Sequence, residues 1–264
     1  MPAGQGRRAA ARSLGLGLGL VVALATACSG GDGGSASPSR PGTSDAGRST
    51  TTAPTTTVAE DLPVGQPLVV VDQGFSTFPD VVDPRATLGG YGVVVQNPDP
   101  VLLATGVTVR SRILDAAGAV LFEDTALLNG VMPGARMAVG GTLLEPIVAP
   151  ASIEVEVQAA AWLEPADVAG SLISGPVATE PEPGGGAVTR FTVRSSWSTD
   201  EEGVDVTALY RAADGRILAG EQGSVDLVPS GSEVTGELRL LTPIPDMTTT
   251  EVLVGRGFAA QTVG

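Results

Sequence analysis

The sequence predicts an all-β protein: two tandem β-sandwiches that follow an export signal and a disordered tether. Three observations carry this. Apolar and polar residues alternate with a period of two from Leu62 onward. A pattern of about 97 residues occurs twice. The chain ahead of Leu62 holds one short apolar run and is otherwise rich in Gly, Ser, Thr and Pro. The implied organisation is a signal segment over 1–27, a tether over 28–62, one sandwich over 63–169 and a second over 170–264, with the boundary near Ala169.

The signal comes first. Arg7, Arg8 and Arg12 precede the run Leu14 to Ala27, which is 14 residues long and contains three glycines. A spanning helix needs roughly 20 apolar residues, so a positive n-region, a short h-region and small residues at the end read as an export signal. No large apolar residue follows the Arg7-Arg8 pair within three positions, which favours the general secretory route over twin-arginine export. The run ends Leu24-Ala25-Thr26-Ala27-Cys28-Ser29-Gly30, and Cys28 is the only cysteine of 264 residues. A cysteine placed there resembles the lipobox of bacterial lipoproteins, although Ala25 stands where that family prefers leucine and the leucine is one place earlier. The resemblance implies cleavage before Cys28, diacylglycerol on its thiol and acylation of the new amine. One acyl chain binds a membrane only marginally, at about 0.8 kcal/mol per buried CH₂, so several chains are what would make the anchor stable. The implied location is the outer face of the cytoplasmic membrane, within the cell envelope.

Residues 29–62 carry Thr50 to Thr52 and Thr55 to Thr57 around Pro54. Such a segment buries too little apolar surface to offset its ordering entropy. As a flexible coil it reaches roughly 30–35 Å, enough to hold a folded part clear of a bilayer. The Thr/Pro cluster has the composition of an O-glycosylated stalk as much as that of a bare tether.

Charge limits the partners. The chain carries −14 at pH 7, with fifteen arginines, no lysine and no histidine. Removing 1–27 takes away three arginines and no acid, which leaves −17. Phosphate recognition needs clustered cations, so nucleic acid is excluded as a partner. The absence of Lys and the scarcity of Asn point to a GC-rich bacterial genome of the actinobacterial kind. With its one thiol assigned to lipid, the folded part has no disulfide to hold it and depends on core packing.

The strands follow from alternation. Val107, Val109 and Ile113 alternate with Thr108, Arg110 and Arg112; Ile153, Val155 and Val157 with Glu154, Glu156 and Gln158. Val204, Val206 and Ala208 alternate with Asp205 and Thr207; Val234, Leu238 and Leu240 with Thr235, Glu237 and Arg239. Each reads as a strand with one buried and one wet face. Asp115 to Gly118 and Ala213 to Gly215 read as hairpin turns, and Pro98-Asp99-Pro100 forces another. No stretch shows a helical period. The duplication aligns Val107–Gly118 with Val204–Gly215, Leu143–Ile147 with Leu240–Ile244, and Ser171 to Val177 with Leu68 to Val71. A unit of this length suits a seven-strand sandwich, with 178–186 as a long loop inside the second copy.

Both copies resemble the FxLYD-type immunoglobulin-like domains of exported bacterial proteins. Asn97 after three valines, Ile113-Leu114-Asp115 with Gly118, Leu209-Tyr210-Arg211 with Gly215, and Pro133-Gly134 stand at that family's motifs. The first copy departs from it with Ser111 and Leu114 in place of Phe and Tyr, and the second with Arg211 in place of Asp. The resemblance implies two immunoglobulin-like sandwiches and no catalytic residue.

Chemistry is largely excluded. Without His there is no Ser-His-Asp relay and no imidazole metal site; without Lys there is no GxxxxGK[ST] phosphate loop. No catalytic residue, metal ligand or cofactor is expected, and Cys28 is the one assigned site, for lipid. The densest acidic run, Asp200-Glu201-Glu202-Gly203-Val204-Asp205, offers Ca²⁺-type oxygen ligands but lacks EF-hand spacing and reads as an exposed hairpin turn. Trp162 and Trp197 are the aromatics most suited to face a ligand, but each reads first as a sandwich core or edge residue. The expected role is non-enzymatic, as an interaction or spacer module. Its partners would be the membrane, through the lipid, and a protein or glycan of the envelope. The alternatives are a solute-binding lipoprotein of a transporter or a regulator of a wall enzyme.

Overall fold

Every element among the described residues is a β-strand. The computed structural model describes residues 63–80, 83, 85–143, 145–165, 170–183 and 186–256. Cys28, the expected tether and the expected boundary near Ala169 lie outside them. The first repeat supplies β1 (Val69–Pro79), β2 (Thr87–Gln96), β3 (Leu103–Asp115), β4 (Val120–Val131), β5 (Arg136–Leu143), β6 (Pro150–Gln158) and β7 (Ala161–Leu163). The second supplies β8 (Leu172–Pro181), β9 (Ala187–Ser195), β10 (Glu201–Arg211), β11 (Ile217–Val228), β12 (Glu233–Leu240) and β13 (Thr249–Gly255).

The sequence repeat is also a repeat of topology. The first copy forms one sheet in the order β1-β2-β5 and another in the order β4-β3-β6, with β7 also paired to β3. The second forms β8-β9-β12 and β11-β10-β13, the same connections shifted by one copy. Backbone detail repeats with it. Left-handed φ angles occur at Gly106 and Gly203, Gly118 and Gly215, Gly134 and Gly231, and Ala149 and Asp246, each pair 97 residues apart. At Gly118 and Gly215 the cause is the hairpin. Each amide closes a turn, onto Asp115 O and Ala212 O, at a φ that a Cβ would disfavour. The shared core of each copy is six strands, not seven; β7 is a three-residue addition to the first. The expected loop over 178–186 is also corrected. Residues up to Pro181 continue β8, which lies at a sheet edge where a proline displaces no ladder bond.

Two cores fill the sandwiches. In the first, Tyr91, Val93 and Val95 of β2 and Met137 and Val139 of β5 face Val107, Val109 and Ile113 of β3. In the second, Phe191 and Val193 of β9 and Leu238 and Leu240 of β12 face Val206, Ala208 and Tyr210 of β10. A third cluster joins them: Val94 and Ala138 from the first repeat, Leu209 and Ile217 from the second. Sheets β1-β2-β5 and β11-β10-β13 are thus covered on both faces, and the four sheets stack within one compact unit. Phe78 and Leu88 of the first repeat even belong to the second core.

The central contact is made by missing side chains. A Cβ on Gly140 would lie 2.8 Å from Gly220 Cα, and one on Gly90 would lie 2.4 Å from Ala219 Cβ. The sheets therefore meet backbone to backbone here, far closer than the roughly 10 Å of a side-chain-filled sandwich. Polar groups rim the contact. Thr207 Oγ1 donates to Ala138 O at 2.7 Å, and Ser76 Oγ donates to Leu218 O at 2.8 Å. Arg211 bridges Asp72 and Glu251, both at 2.7 Å.

Some buried hydroxyls are left unsatisfied, among them that of Ser111 in the first core. Ser111 is buried, and its hydroxyl finds no partner among the described residues. An unmade bond at a buried hydroxyl costs about 1–3 kcal/mol. Ser111→Ala is therefore expected to stabilise the protein by about 1 kcal/mol in urea unfolding; a loss of stability would contradict this.

Candidate functional site

The acidic run does not act as a unit. Asp200 Oδ1 accepts from Ser230 N at 2.8 Å, and Asp205 accepts from Asn129 Nδ2 at 3.0 and 3.1 Å. Glu201 turns inward instead, with 2 % of its surface exposed. This corrects the expected exposed hairpin turn: β10 already begins at Glu201, and the carboxylate is neutralised from the far end of the repeat. Arg256, just after β13, donates to it from Nε at 2.6 Å and Nη2 at 3.0 Å. The same guanidinium lies 4.3 Å from the ring centroid of Trp197, itself only 3 % exposed. No group of three or more His, Cys, Asp or Glu able to hold a metal ion occurs among the described residues.

Beside this cluster a cleft of about 640 Å³ opens between the repeats. Pro100, Met132 and Met137 line it from the first, and Leu172, Trp197 and Arg256 from the second. The Pro98-Asp99-Pro100 turn builds one wall. Asn97 is fully buried; its Nδ2 donates to Leu102 O and Val131 O, and its Oδ1 accepts from Asp99 N. The Asp99 carboxylate accepts from the amides of Leu102, Val101 and Gln66, and these hold it below the usual carboxyl range. A depressed folded pKa adds stability that is present above the unfolded value, about 3.9, and is lost as pH falls through the folded value. Asp99→Asn is expected to be less stable than the parent at pH 7. The gap should narrow as pH falls through the folded value, as pH-series thermal melts would show; a gap that stays constant would contradict the assignment.

At another part of the same boundary lies a groove of about 1060 Å³. Gln73 to Thr77, in edge strand β1, line it together with Ile147 and Ile153 of the first repeat and Leu218 of the second. Arg85 and Arg216 also line it.

Of the two tryptophans, Trp197 lines the cleft with its ring pressed between Arg256 and Gly170, where a Cβ would come within 2.3 Å of the ring. Trp162, in β7, packs partly buried on the first core. Sequence reasoning missed the Glu201–Arg256 pair, since 55 residues separate the partners and nothing local marks them. It also missed the glycines of β2 and β5. Their signal was present: glycine inside an apolar strand marks a close approach of another backbone.

No family model matches the chain, and no curated protein does. Among solved structures it is similar to "pT26-6p" at a TM-score of 0.21 and 8% identity, over 72% of this chain. The match spans 61% of that protein, less than two thirds of its length. A likeness this loose carries no argument about fold or function.

Proposed function

We propose that this is a non-enzymatic, lipid-anchored protein of the bacterial cell envelope whose two immunoglobulin-like sandwiches form an extracytoplasmic interaction module. The carrying observation is the run Leu24 to Gly30, a single cysteine directly after a positive n-region and a short apolar segment. The Gly/Ser/Thr/Pro-rich segment behind Cys28 supports a tethered head, and the lack of His and Lys fits the non-enzymatic reading. No helix among the described residues is long and apolar enough to cross a membrane.

The test is metabolic labelling of the full chain with an alkyne fatty acid, followed by detergent phase partition. The parent should take up label and enter the detergent phase; Cys28→Ser should do neither. Equal labelling of the two would overturn the anchor. One observation favours a second reading. The cleft's volume and mainly apolar lining fall within the range of small-ligand sites at domain boundaries, as a solute-binding lipoprotein would require. Saturable uptake of apolar solutes by the parent, blocked by Met137→Trp, would support it.

A further inference from the structure

The groove beside β1 offers backbone and charge together. β1 ends its sheet, so on its outer side alternate amides and carbonyls have no strand to pair with among the described residues. Residues Gln73 to Thr77 of that edge line the groove in succession, so the space runs along the strand. Apolar side chains flank it on both sides: Ile147 and Ile153 from the first repeat, Leu218 from the second. The shape suits an extended chain, whose alternate side chains would enter these walls while its backbone completes the ladder.

Charge narrows the partner. The chain carries −14, yet the groove lining holds two guanidiniums, Arg85 and Arg216, against one carboxylate, Asp246. Arg110, Arg112, Arg190, Arg211, Arg239 and Arg256 each have a carboxylate within 3.4 Å. Arg216 has one only at 3.9 Å, from exposed Asp214. Arg85 forms no ion pair among the described residues, and of the arginines that share this, Arg136 and Arg194 lie outside the groove. An arginine fork left open at a surface suits an incoming carboxylate.

We infer that the groove takes an extended acidic segment of an envelope protein, added as an outer strand to β1, with carboxylates on Arg85 and Arg216. This rests on the interaction-module reading above. The probe is a fluorescent, end-blocked octapeptide of alternating valine and glutamate, carrying a photo-crosslinker and titrated against the lipidated full chain in neutral detergent. Saturable binding is expected, with crosslinks at Gln73–Thr77. Weakening of at least tenfold is expected for Arg85→Glu/Arg216→Glu and for a valine–glutamine peptide. The charge-reversed protein must melt like the parent; if it does not, the crosslink position on the parent decides. No binding, equal binding by the neutral peptide, or crosslinks at the β4 or β8 edges would overturn the inference. Crosslinking in cells separates the two readings. A partner held equally by the parent and by Arg85→Glu/Arg216→Glu would keep the module and sink this site, whereas no partner for either would sink the module.

Discussion

Replacing Arg256 with methionine is expected to cost about 3 kcal/mol of folding stability. For a unit of about 200 residues that lowers Tm by roughly 6–12 °C. The reason is the partner left behind. Glu201 is almost fully buried, and among the described residues it receives, besides the two guanidinium bonds, one bond from Thr199 Oγ1 at 3.3 Å. Removing one member of such a pair strands the other's charge in a medium that solvates it poorly. The stacking on Trp197 adds about 0.5–1 kcal/mol to the loss. Glu201→Gln/Arg256→Met removes both charges and should recover much of the loss, giving a coupling of about 2 kcal/mol in a double-mutant cycle. Urea unfolding followed by tryptophan fluorescence measures all four proteins. A single variant within 0.5 kcal/mol of the parent, about the scatter of a surface substitution, would mean the pair is solvated. Because Arg256 and Trp197 line the cleft, the same change should also loosen any apolar solute bound there.

That pair marks where sequence reasoning stops. Alternation located β3, β6 and β12 because one face of each meets a core and the other meets water, as Arg110 and Arg112 do beside Glu123, Glu154 and Glu156. In β10 the alternating polar residues Asp205 and Thr207 meet the first repeat and not water, bonding Asn129 and Ala138 O. The duplication located the turns at Asp115 and Ala213, where hairpin geometry is local. β2 escaped the same logic. It is buried from Leu88 to Val95, since sheets cover both of its faces, and that run holds no charged or amide side chain to mark a second face. A period of two therefore told two sandwiches from helices, but not two separate sandwiches from two pressed together. The distinction lay in Gly90, Gly92 and Gly140, which look like weak strand residues until the opposing sheet is known. Trp197 and Glu201 were singled out from the sequence, yet their common partner, Arg256, depends on how β13 pairs with β10.

The contact between the sheets gives the second large effect. Gly140→Ala is expected to cost at least 2 kcal/mol and Gly140→Val about 3 or more. A Cβ there would meet Tyr91 O at 2.6 Å, Gly220 Cα at 2.8 Å and Gly92 Cα at 3.1 Å. All three are backbone atoms, so no side chain can swing aside; β5 must shift against its neighbour β2, and the facing sheet at Gly220 must move away. Parting the two sheets loosens Val94, Ala138, Leu209 and Ile217 together and weakens the Thr207–Ala138 bond. Each sandwich keeps most of its own core, so unfolding of Gly140→Val should split into two steps where the parent shows one. The neighbouring residue is the control. A Cβ on Gly141 meets nothing closer than Tyr91 Cε1 at 3.5 Å, ordinary contact, and its φ is not left-handed. Gly141→Ala should therefore be neutral or stabilising by a few tenths of a kcal/mol, through the unfolded chain. Calorimetry of the parent and the three variants separates the cases. If Gly140→Ala melted like Gly141→Ala, the sheets would not press together in solution, and a partner would meet two sandwiches free to pivot. The expected difference between adjacent glycines instead makes the two repeats move together, so that the β1 groove and the Trp197 cleft, each walled by both repeats, keep their shapes.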